Sequence, residues 1–128
     1  MSITLNTKVY NYRNTANGVT TYAEDSGQHV SGFSLLTSQA TLGNVARGQK
    51  QAQRSKTIWK LSLPVLADDD TACACAGDVL GTADFFVEVR SDAIIPKSVL
   101  TDGRLRLADL IANAKFIASV DSHTQPTS

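Results

Sequence analysis

The feature that most constrains this fold is a change of hydrophobic period along the chain. Before Pro96 several separate runs carry apolar side chains at every second position, the repeat of a half-buried strand. Beyond Pro96 they recur at helical spacing: Leu107, Leu110, Ile111 and Ala114, then Phe116, Ile117 and Val120. A run of strands followed by one or two helices predicts an α+β fold, with helices on one face of an antiparallel sheet. The 128 residues fit one domain, 1–128, and the 42% apolar content is too high for general disorder. No apolar run is long enough to span a membrane.

The clearest strand is Lys56-Thr57-Ile58-Trp59-Lys60-Leu61-Ser62-Leu63. Thr57, Trp59, Leu61 and Leu63 fall on one side, and Lys56, Ile58, Lys60 and Ser62 on the other. Thr82 to Arg90 repeats the pattern, with Phe85, Val87 and Val89 opposite Asp84, Phe86, Glu88 and Arg90. One face asks for a core while the other is polar, as in a sheet covered on one side only. Pro64 lacks an N–H and is expected to restrict continuation of the first of these strands. Further upstream, alternation over 3–13 and 18–24 predicts a hairpin (3–24) turning at Asn17-Gly18, two residues that tolerate positive φ. The remaining sheet is expected within 28–92: a short strand over Val30–Leu36, another over Thr41–Arg47, and a long loop of small and acidic residues over 67–81. Helices are expected over 96–121, started by Pro96 or capped at Thr101-Asp102 and kinked near Asn113, with a polar tail over 122–128.

Twelve basic and twelve acidic side chains cancel, which argues against a generally basic nucleic-acid binder. Their distribution is uneven. No acidic residue occurs between Ser26 and Ala67, a stretch that holds Arg47, Lys50, Arg54, Lys56 and Lys60. Gathered on one surface, these would make it strongly positive; otherwise they are a solvated, solubilising set. The catalytic inventory is thin. His29 and His123 have no local nucleophile or carboxylate partner, and no nucleophile elbow, phosphate loop or dinucleotide fingerprint occurs. No cofactor is expected, and the chain is not expected to be an enzyme. Asp68-Asp69-Asp70 reads as a solvated acidic loop. Cys73 and Cys75 supply at most two of the four ligands of a structural zinc site, and a bridge between such close neighbours would be strained. Free thiols or bridges to another chain remain. The N-terminus has neither the basic nor the apolar region of a signal peptide, so the chain is expected to begin in the cytosol.

In element order the chain resembles the coat proteins of the small single-stranded RNA bacteriophages, the leviviruses. The most specific local matches are Lys56–Pro64 and Ala83-Asp84-Phe85-Phe86-Val87-Glu88-Val89, with the cysteine-bearing loop Thr71–Cys75 between them. The resemblance implies an N-terminal hairpin and a five-stranded antiparallel sheet. Two copies would form an intertwined dimer with a continuous ten-stranded sheet and interlocked helices outside. Dimers would build an icosahedral shell, usually of triangulation number three, in the virion of a phage whose coat is synthesised in the bacterial host cytoplasm. The inner sheet face would bind genomic RNA, including an operator hairpin, and so repress replicase translation.

The resemblance also assigns residues. Asn44, Arg47, Lys56, Lys60, Ser62, Asp84 and Phe86 are expected on the RNA-binding face. Thr82 stands in the region of the family's base-stacking tyrosine, and Phe86 is the alternative stacker or simply a packed aromatic. Trp59, Leu61, Phe85 and Val87 from the sheet, with Leu107, Leu110, Ile111 and Phe116 from the helices, are expected to form the dimer core. Leu63, Val89 and Ile117 would add to it. Cys73 and Cys75 would gather near the shell's symmetry axes and form intersubunit disulfides. No metal is expected. The competing expectation is a dimeric single-stranded nucleic-acid-binding module that forms no shell.

Overall fold

The computed structural model describes residues 1–27, 30–42, 54–66, 78–92 and 95–125. The chain divides into two units, Met1–Ala93 and Ile94–Ser128. The first is a six-stranded antiparallel sheet in sequential order: β1 (Ser2–Leu5), β2 (Lys8–Ala16), β3 (Val19–Glu24), β4 (Ser34–Thr41), β5 (Ser55–Leu66) and β6 (Val79–Ser91). A short 3-10 turn over Val30–Gly32 precedes β4. The second unit holds α1 (Lys97–Ala112) and α2 (Ala114–Ser122). The α+β order expected from the change of period is therefore present.

The expected hairpin turns at Asn17 (φ 53°) and Gly18 (φ 78°), both in the left-handed region that two-residue hairpin loops favour. The expected single strand over 3–13 is instead two strands. A second tight turn at Asn6 (φ 46°) and Thr7 (φ 66°) folds β1 back onto β2. This turn reverses the parity of the alternation. Ile3 pairs with Tyr10, so it shares a face with Tyr10 and not with Val9. Accordingly Tyr10 is buried and Val9 is exposed. The hairpin also continues the main sheet, because β3 pairs with β4 from Val19↔Gln39 to Glu24↔Ser34.

Two further expectations shift. Val30–Gly32 is a 3-10 turn, and the strand begins at Ser34. Strand β5 runs through Pro64 to Leu66. Pairing between β4 and β5 ends at Leu35↔Ser62, so Pro64 has only Thr82 of β6 beside it, where a missing N–H costs least. Gly32 lies close against the Leu66 side chain, which would have to shift to admit a Cβ there. The expected strand over Thr41–Arg47 lies, past Leu42, outside the described residues; only Thr41 is seen, as the end of β4.

The buried core of the sheet unit sits on β2–β4: Tyr10, Ala23, Leu36 and the polar Ser34. Ser34 Oγ donates to the Ser62 carbonyl at 2.9 Å, which uses its only proton. The Tyr10 hydroxyl, 2.8 Å away, is therefore the donor to Ser34 Oγ. This relay ties β2, β4 and β5 together and satisfies the buried hydroxyls. In the helical unit Pro96 is the extended N-cap of α1, and Thr101-Asp102 lies inside the helix, where Asp102 pairs with Arg106 at 2.9 Å. The expected kink falls at Asn113, whose side chain caps α2 by accepting from the Lys115 N–H at 2.9 Å. Neither helix has a buried residue.

Candidate nucleic-acid interface and the opposite apolar face

Strand register sorts the residues of β4–β6 into two faces. Across the polar face run four rows: Leu35–Ser62–Asp84, Thr37–Lys60–Phe86, Gln39–Ile58–Glu88 and Thr41–Lys56–Arg90. The other face carries Leu36–Leu61–Phe85, Ser38–Trp59–Val87 and Ala40–Thr57–Val89, with Leu63 opposite Ala83. Lys60 and Trp59 thus lie on opposite sides. The structure brings Lys56, Lys60, Ser62, Asp84 and Phe86 together on one face, and Trp59, Leu61, Phe85 and Val87 on the other. Asn44, Arg47, Cys73 and Cys75 lie outside the described residues.

The polar face is less positive than the acid-free stretch of sequence suggests. Carboxylates in and just after β6 meet the cations in and just before β5. Arg54 Nε lies 3.1 Å from Asp92, and Lys56 Nζ lies 3.5 Å from Glu88 Oε1. The same oxygen stands 2.6 Å from Arg90 Nε. The hydrogen bond from Arg90 is the main reason the Glu88 carboxyl is held below its ordinary pKa; desolvation opposes it, and the charges of Arg90 and Lys56 and a hydrogen bond from Lys56 add to the lowering. Lys60 differs. Among the described residues no carboxylate reaches it, and its ammonium lies 5.4 Å from the centre of the Phe86 ring. That ring is 65% exposed, so it offers a flat surface beside a free cation. A shallow hollow of about 100 Å³ adjoins these rows, lined by Gln39, Thr41, Lys56 and Ile58. The sequence placed Lys60 and Phe86 on the polar sides of their own strands; the register makes them direct neighbours. Gln39, Thr41 and the shared carboxylate of Glu88 emerge only from the register.

On the apolar face Leu63, Phe85, Val87 and Val89 are exposed, and Trp59 and Leu61 only partly covered. On the helices Leu110, Ile111 and Ile117 are exposed, and Leu107 and Phe116 partly so.

No protein-family profile and no curated protein matches the sequence. Solved structures do match the fold. The virus-like particle of bacteriophage ESE058 aligns with a TM-score of 0.81 at 14% identity, over 99% of this chain and 95% of that one. The virus-like particle of Beihai levi-like virus 21 aligns at 0.79 and 15%, over 100% and 96%. The capsid protein of bacteriophage GA aligns at 0.69 and 15%, over 98% and 95%. The chain has the fold of the levi-like phage coat proteins. Both units of the coat-protein fold are included, since the alignments run over nearly all of the chain. At such low identity the likeness lies in the path of the backbone, while the side chains on the polar face are this chain's own.

Proposed function

We propose that this chain is a structural capsid protein of a levi-like RNA phage, which dimerises and assembles an icosahedral shell around single-stranded RNA. The observation that carries the reading is the two-sided β5–β6 region on a coat-protein backbone, with an uncovered apolar face behind a polar face bearing a free lysine. An apolar face of this extent is ordinarily covered by a partner. In the dimer reading the helices of a second copy lie over Trp59, Leu61, Phe85 and Val87 and contribute Leu107, Leu110, Ile111 and Phe116. Strands β1 and β6 are the two edges of the sheet, and the second copy pairs at β6, the edge that carries the exposed Phe85, Val87 and Val89. With the hairpin continuing the sheet, that pairing joins twelve strands where ten were expected.

The polar face then looks into the shell. Lys60 neutralises phosphate directly and Lys56 does so once its pair with Glu88 opens, Phe86 stacks an unpaired base, and Ser62 and Asp84 add hydrogen-bonding groups. Asn44 and Arg47 extend this set from the preceding segment. A hollow the size of that beside Ile58 gives an unstacked base a place to rest, and so a basis for recognising an operator hairpin and repressing replicase translation. Cys73 and Cys75 form intersubunit disulfides once the virion, made in the bacterial cytoplasm, meets an oxidising environment.

Expression followed by size exclusion and electron microscopy tests the assembly. Closed particles are expected, with triangulation number three the favoured geometry. A stable dimer that never closes would instead favour a nucleic-acid-binding module, and a monomer would remove both readings. Non-reducing electrophoresis of the particles is expected to give a ladder of covalent oligomers. Lys60→Ala is expected to weaken RNA binding about tenfold and to flatten the salt dependence by about 0.7 in log–log slope, one phosphate contact to a single strand. Unchanged affinity would take Lys60 out of the site.

A further inference from the structure

We propose that Glu88 sets the selectivity of the polar face by holding Lys56 and Arg90 away from phosphate, leaving Lys60, among the described residues of that face, as the cation immediately open to RNA. The inference rests on the RNA-binding reading of that face and specifies how the face discriminates. Glu88 sits in the row between Phe86 and Arg90, opposite Ile58. One of its oxygens receives both cations, Arg90 Nε at 2.6 Å and Lys56 Nζ at 3.5 Å. Exposed pairs of this kind add little to folding stability. They matter more for an incoming polyanion. A phosphate that captures Lys56 or Arg90 must displace the carboxylate, and then lies beside the negative charge it has displaced. Glu88 therefore acts twice, as an internal competitor and as a repulsive neighbour.

Lys60, in the row on the other side of Glu88, is in no ion pair among the described residues and its ammonium lies 5.4 Å from the centre of the Phe86 ring, so a phosphate there has no carboxylate to displace. A strand that offers phosphates alone gains one readily available cation here. A strand that also places a base on Phe86 gains a contact that needs no displacement. The difference favours RNA presenting an unpaired base at that point over a structureless polyanion.

The test measures binding of a short labelled oligouridylate to the assembled wild-type protein and to Glu88→Gln across a salt series. The expected result is a gain in affinity of about three- to tenfold in Glu88→Gln, with a steeper salt slope by about 0.7 for each released cation. In the background Lys56→Gln/Arg90→Gln, adding Glu88→Gln is expected to give no gain. Equal affinity and slope in wild type and Glu88→Gln would overturn the inference, and so would a gain that persists without Lys56 and Arg90, because it would then come from the general field. The RNA reading itself fails differently: wild type and Glu88→Gln would both show no salt-dependent binding, and Lys60→Ala would change nothing.

Discussion

The two sides of the sheet are finished to different degrees. In β2–β4 one chain completes its own core: Tyr10, Ala23, Ser34 and Leu36 are buried, and the Tyr10–Ser34–Ser62 relay leaves no hydroxyl unsatisfied. In β6, twelve of the thirteen residues are exposed, including Phe85, Val87 and Val89 on the apolar face. The amphipathic pattern of β6 is as regular as any in the chain, so the exposure does not reflect weak patterning. It reflects a face whose cover is not supplied within the strands. On the proposed capsid reading, stability rests on one region and assembly on the other, and substitutions in the two should fail in different ways.

Val87→Asp should separate them most sharply. It puts a carboxylate in the centre of the open apolar face, beside Trp59. If a second copy covers that face, burying the charge costs roughly 4 kcal/mol or more, about a thousandfold in dimer affinity. Size exclusion should show loss of dimers and particles, while hydrogen exchange of the β2–β4 amides stays protected. A Val87→Asp protein that still forms particles would show that the open half is not the interface.

The same division explains what the sequence could reveal. Alternation in Lys56–Leu63 and Thr82–Arg90 sorted the two faces correctly, because each strand has its own unbroken period and pairs in register with the other. The Asn17-Gly18 turn and the break at Asn113 were legible because those residue types suit the backbone they adopt. The turn at Asn6-Thr7 was not. It contains no glycine, and alternation continues on both sides of it, so nothing local signals the change of face between Ile3 and Val9. The strand through Pro64 was hidden for another reason: whether a proline is tolerated depends on where the neighbouring strand stops. The charge balance of the polar face was hidden too. Asp92 and Glu88 are far along the chain from Arg54 and Lys56, and only pairing of β5 with β6 brings them close enough to reduce the positive field.

Ser34→Ala is the matching change in the completed half. It removes the acceptor of the buried Tyr10 hydroxyl and the donor to the Ser62 carbonyl, and should cost about 1–3 kcal/mol in chemical denaturation. Adding Tyr10→Phe to it should recover part of the loss, since the stranded donor is then gone. Dimer affinity should change little. A Ser34→Ala protein of full stability that assembles poorly would reverse the assignment of the two halves.

The smallest effect belongs to Glu88, in the open half but on its polar side. Its folded pKa lies below the ordinary value near 4.5, chiefly through the hydrogen bond from Arg90 and then through the charges of Arg90 and Lys56. The unfolded chain therefore takes up this proton first as the pH falls, and stability decreases with it. The contribution is complete above the ordinary glutamate pKa and is lost as the pH drops through the depressed folded value. Wild type and Glu88→Gln should thus respond alike to denaturant changes of pH at neutrality and diverge only on the acid side, where the wild type loses slightly more. Because the pairs are exposed, added salt should shrink the divergence. If the two proteins follow the same acid limb at low ionic strength, the carboxylate is not held by Arg90 in solution, and the polar face carries more available positive charge than its ion pairs imply.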